Sequence, residues 1–133
     1  MLILKSTDII RVVTGSAVST IGVHTSWVDN AAGVITPDRT NTPITTATTT
    51  TVVGSPAAST QRNIRMLAIS NNHASSSCVI TVQHFDGTTS IDLRTVTLMA
   101  GENLLLTEGG ERFHYDVAGA PYSYQSRKYS API

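Results

Sequence analysis

Residues 64–117 read IRMLAISNNHASSSCVITVQHFDGTTSIDLRTVTLMAGENLLLTEGGERFHYDV, and the fold is decided there. Within this stretch CVITVQHF, Cys78–Phe85, sets Cys78, Ile80, Val82 and His84 against Val79, Thr81, Gln83 and Phe85. That is the two-residue period of a strand. Both faces carry apolar groups, so the strand is expected to be covered on one side and partly on the other. Asp86 and Gly87 open a tight connection, because glycine accepts the positive φ that hairpin turns require. Residues 90–99 then return, with Ile91 and Leu93 expected on one side and Asp92 and Arg94 on the other. Turn formers at 100–102 and 108–110 bracket the short strand NLLLT at 103–107, and Phe113, Tyr115 and Val117 line one side of the next. With residues 64–71 in front, these segments predict a meander of five short strands.

The first half is less regular. Residues 9–13 and 21–28 are strand candidates, the second pointing Ile21, Val23 and Trp27 to one side. Residues 29–43 hold Asn30, Gly33, Pro37, Asp38, Asn41 and Pro43, a density of turn formers that predicts a loop with a short extension at Val34 and Ile35. The threonine-rich run ITTATTTTVV, residues 44–53, is expected to be a long edge strand. The sum is an all-β chain of about seven to nine short strands, an antiparallel β-sandwich of jelly-roll kind, because two packed layers are needed to bury both sets of inward side chains. It is one domain over residues 1–133, with an N-terminal arm over about 1–8 and a C-terminal tail over about 121–133.

Composition points the same way. Threonine and serine make up roughly a quarter of the chain, and valine and isoleucine roughly a sixth. Charged residues are only 14% of the 133, and the long amphipathic helices that need charged outer faces are not favoured. Nine basic side chains balance nine acidic ones, so no broad field attracts phosphate backbones or anionic lipid. Neither nucleic acid nor membrane is an expected partner. The single cysteine, Cys78, cannot close a disulfide within the chain, and no apolar run is long enough for a spanning helix. The first residues, MLILKSTDII, are broken by Lys5 and Asp8 and do not read as a secretory signal, so the expected place of synthesis and assembly is the cytosol.

Residues able to do chemistry are few and scattered. His24 and His84 fall within strand patterns, His73 in a polar loop, and His114 beside Asp116; none has helical metal-ligand spacing or cysteine company. No nucleophile elbow or phosphate-binding glycine pattern occurs. Glu108 and Glu111 flank two glycines and read as solvated turn charges, and Cys78 reads as a small buried hydrophobe. The chain is therefore expected to be no enzyme, with no cofactor and no metal. The candidate contact residues lie at the ends. Leu2, Ile3 and Leu4 form an apolar cluster in the arm, and the tail holds Tyr122, Tyr124, Arg127 and Tyr129, residue types favoured at protein interfaces.

Residues 40–110 carry the Thr-rich run, STQRN before a strand, NNHASSS between strands, VQHFDGTTS and the LMAGENLLL corner. This stretch, about half of the chain, resembles small β-rich virion proteins of tailed bacteriophages and related prophages. The resemblance implies a structural subunit of the virion, assembled in the host cytoplasm: a capsid cement or decoration protein, or a part of the tail or its fibres. The expected partners are the major capsid protein or other virion proteins and further copies of the chain, as a trimer. A receptor- or glycan-binding module on a tail or fibre is the other reading, with Trp27 as its aromatic contact.

Overall fold

The computed structural model describes residues 2–15, 20–108, 110–117 and 120–122, with side chains as far as residue 108. The alternation of β-branched and small polar residues is expressed as strands throughout, and no helix occurs among the described residues. One antiparallel sheet contains β1 (Leu2–Leu4), β3 (Ile21–Ala31), β4 (Val34–Ile44), β6 (Thr60–Asn71), β9 (Glu102–Thr107), β10 (Gly110–Val117) and β11 (Ala120–Tyr122), in the order β11-β10-β9-β6-β3-β4. The other contains β2 (Ile9–Thr14), β5 (Thr49–Val53), β7 (Cys78–Phe85) and β8 (Ser90–Leu98), in the order β5-β2-β7-β8. Nine of these strands are five residues or longer; β1 and β11 have three each. Between the layers lies one apolar core, including Ile10, Val12, Ile80, Val82 and Leu98 from the smaller sheet and Leu4, Ile21, Val23, Ile69 and Leu104 from the larger.

The expected meander is wrong in its connections, although its strands are present. β6 pairs with β9, and β7 with β8, so the chain changes layers after Asn71 and again after Leu98. A buried polar side chain explains each change. The Asn71 amide nitrogen donates to Ser76 O at 2.8 Å and Leu98 O at 3.0 Å, and its oxygen accepts the His73 N–H at 3.1 Å. Glu102, fully buried, accepts the Met99 N–H through Oε1 at 2.9 Å, closing the turn in which Gly101 has φ 83°. Other crossings are built alike. Asp8 accepts the Lys5 N–H at 2.9 Å between β1 and β2, and the Thr14 hydroxyl donates to Thr46 O and accepts from Thr48 N–H between β4 and β5.

Two further expectations are corrected. Residues 29–43 are not a loop: β3 and β4, eleven residues each, form a hairpin joined by Ala32 and Gly33. Their φ values, 51° and 85°, are both positive, the arrangement whose twist matches paired strands. Pro37 and Pro43 sit opposite Val28 and Gly22. A proline fits there only where its missing N–H would have faced away from β3, on the free edge. The expected long strand at 44–53 is instead the last residue of β4, a crossing, and β5.

The N-terminal arm is also partly strand. β1 pairs with Arg62–Ile64 on the edge of β6 whose other half, Met66–Ser70, is taken by β9. Leu4 is a core residue. Between the two partners β6 carries one extra residue, Arg65, opposite the Ser26–Trp27 step of β3. This bulge shifts the alternation by one and leaves both Ile64 and Leu67 facing the core. Bulges at Val52 and Leu93 mark β5 and β8 in the same way, and the first lets the adjacent Val52 and Val53 both be buried.

The Asp86 turn follows the sequence reading. Asp86 Oδ1 accepts N–H groups of Thr89 at 2.7 Å and Thr88 at 2.9 Å, and these hold its carboxyl below the usual 3.8. The turn therefore keeps this support above pH 3.8 and loses it as the pH falls through the lowered value. Replacing Asn71 by leucine keeps the bulk and removes three hydrogen bonds to backbone groups. The expected loss is about 3 kcal/mol, read from equilibrium urea unfolding.

Candidate interaction surface

The β3–β4 hairpin extends beyond the core. Inner residues of β3 are buried as far as Trp27, whereas β4 from Val34 to Arg39 is exposed on both faces. At the tip Val34 and Ile35 are 65% and 59% exposed, and the Asn30 side chain accepts the Gly33 N–H at 3.0 Å to hold the turn. A projection of this length needs a brace at its root, and Arg62 supplies it. Its guanidinium donates to both oxygens of Asp29 at 2.8 and 2.9 Å and to Gly54 O at 2.9 Å, and stacks 4.5 Å from the Trp27 ring centre. A bidentate, stacked arginine fixes direction as well as distance.

Beside the tip lies a shallow polar depression bordered by Lys5, Ser6, Asn30, Ser59 and Gln61. Ser59, like Ala32, has a positive φ, 58°.

A second exposed apolar area lies on β8, which ends the smaller sheet and has no partner on its outer side among the described residues. Ile91 stands in register with His84 and Ile10, on the inward face, yet is 54% exposed, and the bulged Leu93 is 44% exposed. The buried residues of this strand are Val96 and Leu98, so the expected division into an apolar Ile91–Leu93 side and a charged side does not describe its packing.

The residues singled out from sequence are distributed unevenly. Leu4 lies in the core and Leu2 packs against it, so of the apolar cluster Leu2, Ile3 and Leu4 just Ile3 is left exposed. Burial of Leu4 corrects its reading as a docking residue; pairing with β6 turns its side chain inward. Tyr122 ends β11, opposite Tyr115. Tyr124, Arg127 and Tyr129 lie outside the described residues. Trp27 is 7% exposed and covered by Arg62, and is no open aromatic platform for a sugar. The hairpin tip was missed as a paired element; its signal was the Ala32-Gly33 pair between two runs able to extend.

The histidines with described side chains have local structural roles. His73 Nδ1 accepts the Ser75 and Ser76 N–H groups at 3.1 and 2.9 Å, His24 Nδ1 lies 2.6 Å from Asn41 Oδ1, and His84 Nε2 lies 3.3 Å from Asp8 Oδ2. Glu108 pairs with Arg65 at 2.7 Å. Cys78 is buried. Among the described residues no three His, Cys, Asp or Glu side chains gather as metal ligands would, and no helix is long and apolar enough to cross a membrane.

Comparison with protein-family models, curated proteins and solved structures finds no match.

Two substitutions test the hairpin. Ala32→Gly removes a side chain from a positive-φ position and is expected to stabilise the protein by about 0.5 kcal/mol in urea unfolding. Arg62→Ala breaks the brace. It is expected to cost about 2 kcal/mol and to raise amide exchange selectively in β3 and β4, with Arg62→Lys intermediate because the ammonium lacks the fork.

Proposed function

We propose that this chain is a structural subunit of a tailed-bacteriophage virion: a cement or decoration protein that binds as a trimer over junctions of the major capsid protein. The observation that carries the reading is the projecting hairpin. The inward residues of β3 are buried only as far as Trp27, and the end of the hairpin beyond it, with Val34 and Ile35 held in solvent, takes no part in burying this domain's own core. They suit contact with another surface, where apolar residues lose water only on binding. The sequence resemblance over residues 40–110 and the balanced charge support the same reading, since subunits present in many copies associate by shape and avidity without long-range attraction.

In this role the sandwich is a rigid holder and the hairpin its contact. The outer edge of β8, unpaired among the described residues and carrying Ile91 and Leu93, is the matching surface for other copies of the chain. The tail with Tyr122, Tyr124, Arg127 and Tyr129 adds a second contact with the capsid. The glycan-binding reading is less well supported because Trp27 is covered.

The test is co-sedimentation with capsids lacking the subunit. Val34→Ser with Ile35→Ser is expected to lower occupancy about tenfold at a fixed protein concentration while the melting temperature stays within about 2 °C, since both residues are exposed. Removing residues 122–133 is expected to weaken binding with the β signal retained in circular dichroism. Full occupancy by both variants would contradict the proposal, as would copy numbers of only a handful per particle.

A further inference from the structure

Five polar or charged side chains among the described residues are buried: Asp8, Thr14, Thr25, Asn71 and Glu102. Four of them sit where the chain changes layers and bond to backbone there. Thr25 does not. It is in the middle of β3, fully buried, and its hydroxyl has no hydrogen-bond partner. A hydroxyl out of contact with water and without a partner is costly, and a valine would fit the same position.

Thr25 lines a recess of about 220 Å³ between the two sheets. The smaller sheet contributes Ile10, Val82 and Leu93 to its walls; the larger contributes Ile64, Leu67 and Leu106. Arg65 and Glu108 also line it, and their partly exposed ion pair marks its open side. Two of the three bulged residues, Arg65 of β6 and Leu93 of β8, belong to this lining, so an irregularity of each sheet falls at the recess. A dry cavity of about 150 Å³ is known to take benzene. This one has room for a single substituted aromatic ring.

We propose that the recess is a binding site for an aromatic ring bearing one hydroxyl, either a free phenol or the side chain of a tyrosine. The ring replaces empty space against aliphatic side chains of both sheets, and its hydroxyl completes the hydrogen bonding of Thr25. An alkyl chain would fill the space and leave the threonine unpaired. A carboxylate would compete with Glu108 for Arg65. The inference stands on the recess and on Thr25 and is independent of any role in a virion.

The experiment is a titration of the full-length, isotopically labelled protein with p-cresol, toluene or N-acetyl-tyrosinamide, followed by NMR shifts of Thr25, Leu67 and Leu106. Toluene is the control, since a recess of purely apolar character would favour it over a phenol that has to shed water. The expected result is about fivefold tighter binding of p-cresol than of toluene, with the shifts centred on those residues. In Thr25→Val the preference is expected to reverse or vanish while toluene still binds. Binding of N-acetyl-tyrosinamide beside p-cresol supports the site and assigns a polypeptide tyrosine as the source; binding of p-cresol alone supports it and assigns a free phenol. Equal or weaker binding of p-cresol than of toluene by the unaltered protein would overturn the proposal, and so would an undiminished preference in Thr25→Val. Failure of both aromatics to shift the lining residues would overturn it too, whatever the result of capsid sedimentation.

Discussion

Each time this chain leaves one sheet for the other it carries backbone donors and acceptors past the rim of an apolar core, where water is scarce. That constraint shapes the rest. A lost backbone hydrogen bond there costs as much as a good core contact provides, and the protein answers with short polar side chains turned back on the main chain. Asn71 alone satisfies two carbonyls and one amide, joining the end of β6 to the start of one crossing and the end of β8 to the start of another. The Gly101 N–H donates to Asn71 O at 2.8 Å, so the two crossings are tied to each other. The layers hold their separation because their connections are fixed, and the apolar side chains then fill a space of set width.

The strands were largely legible in the sequence because strand and side-chain period are the same thing. Cys78–Phe85 is read to the residue, and Ser90–Leu98 and Glu102–Thr107 to within one. Which strands pair was not legible. Local alternation is indifferent to whether β6 lies beside β7 or beside β9, and the deciding groups, Asn71 and Glu102, look in sequence like ordinary loop polar residues. The bulges were hidden for a related reason. An apolar residue three places after another, as Leu67 follows Ile64, breaks a strict period of two, and only the facing strand shows that Arg65 is the residue left over.

The surfaces were less legible than the fold. Proline, asparagine and glycine in residues 29–43 compose a loop by frequency, yet two prolines six apart occupy equivalent positions on one edge of a strand, and Ala32-Gly33 supplies a two-residue turn. The apolar side chains of the arm do not by themselves tell a partner's groove from the chain's own core. Leu4 goes to the core because β1 finds the half of a β6 edge that β9 leaves open. Thr25 could not be singled out at all, since a threonine in a strand is unremarkable until its hydroxyl is seen to be alone.

The prolines of β4 have a consequence for how copies of this molecule meet. Of the backbone amides that would point outward along that edge, those at Pro37 and Pro43 do not exist, and a foreign strand laid there would find gaps in the ladder. Growth of cross-β fibrils from this ribbon is thereby frustrated even at high protein concentration. Recognition through this ribbon is left to side chains, whose identity sets which neighbour is accepted, and not to main-chain pairing, which accepts almost any sequence.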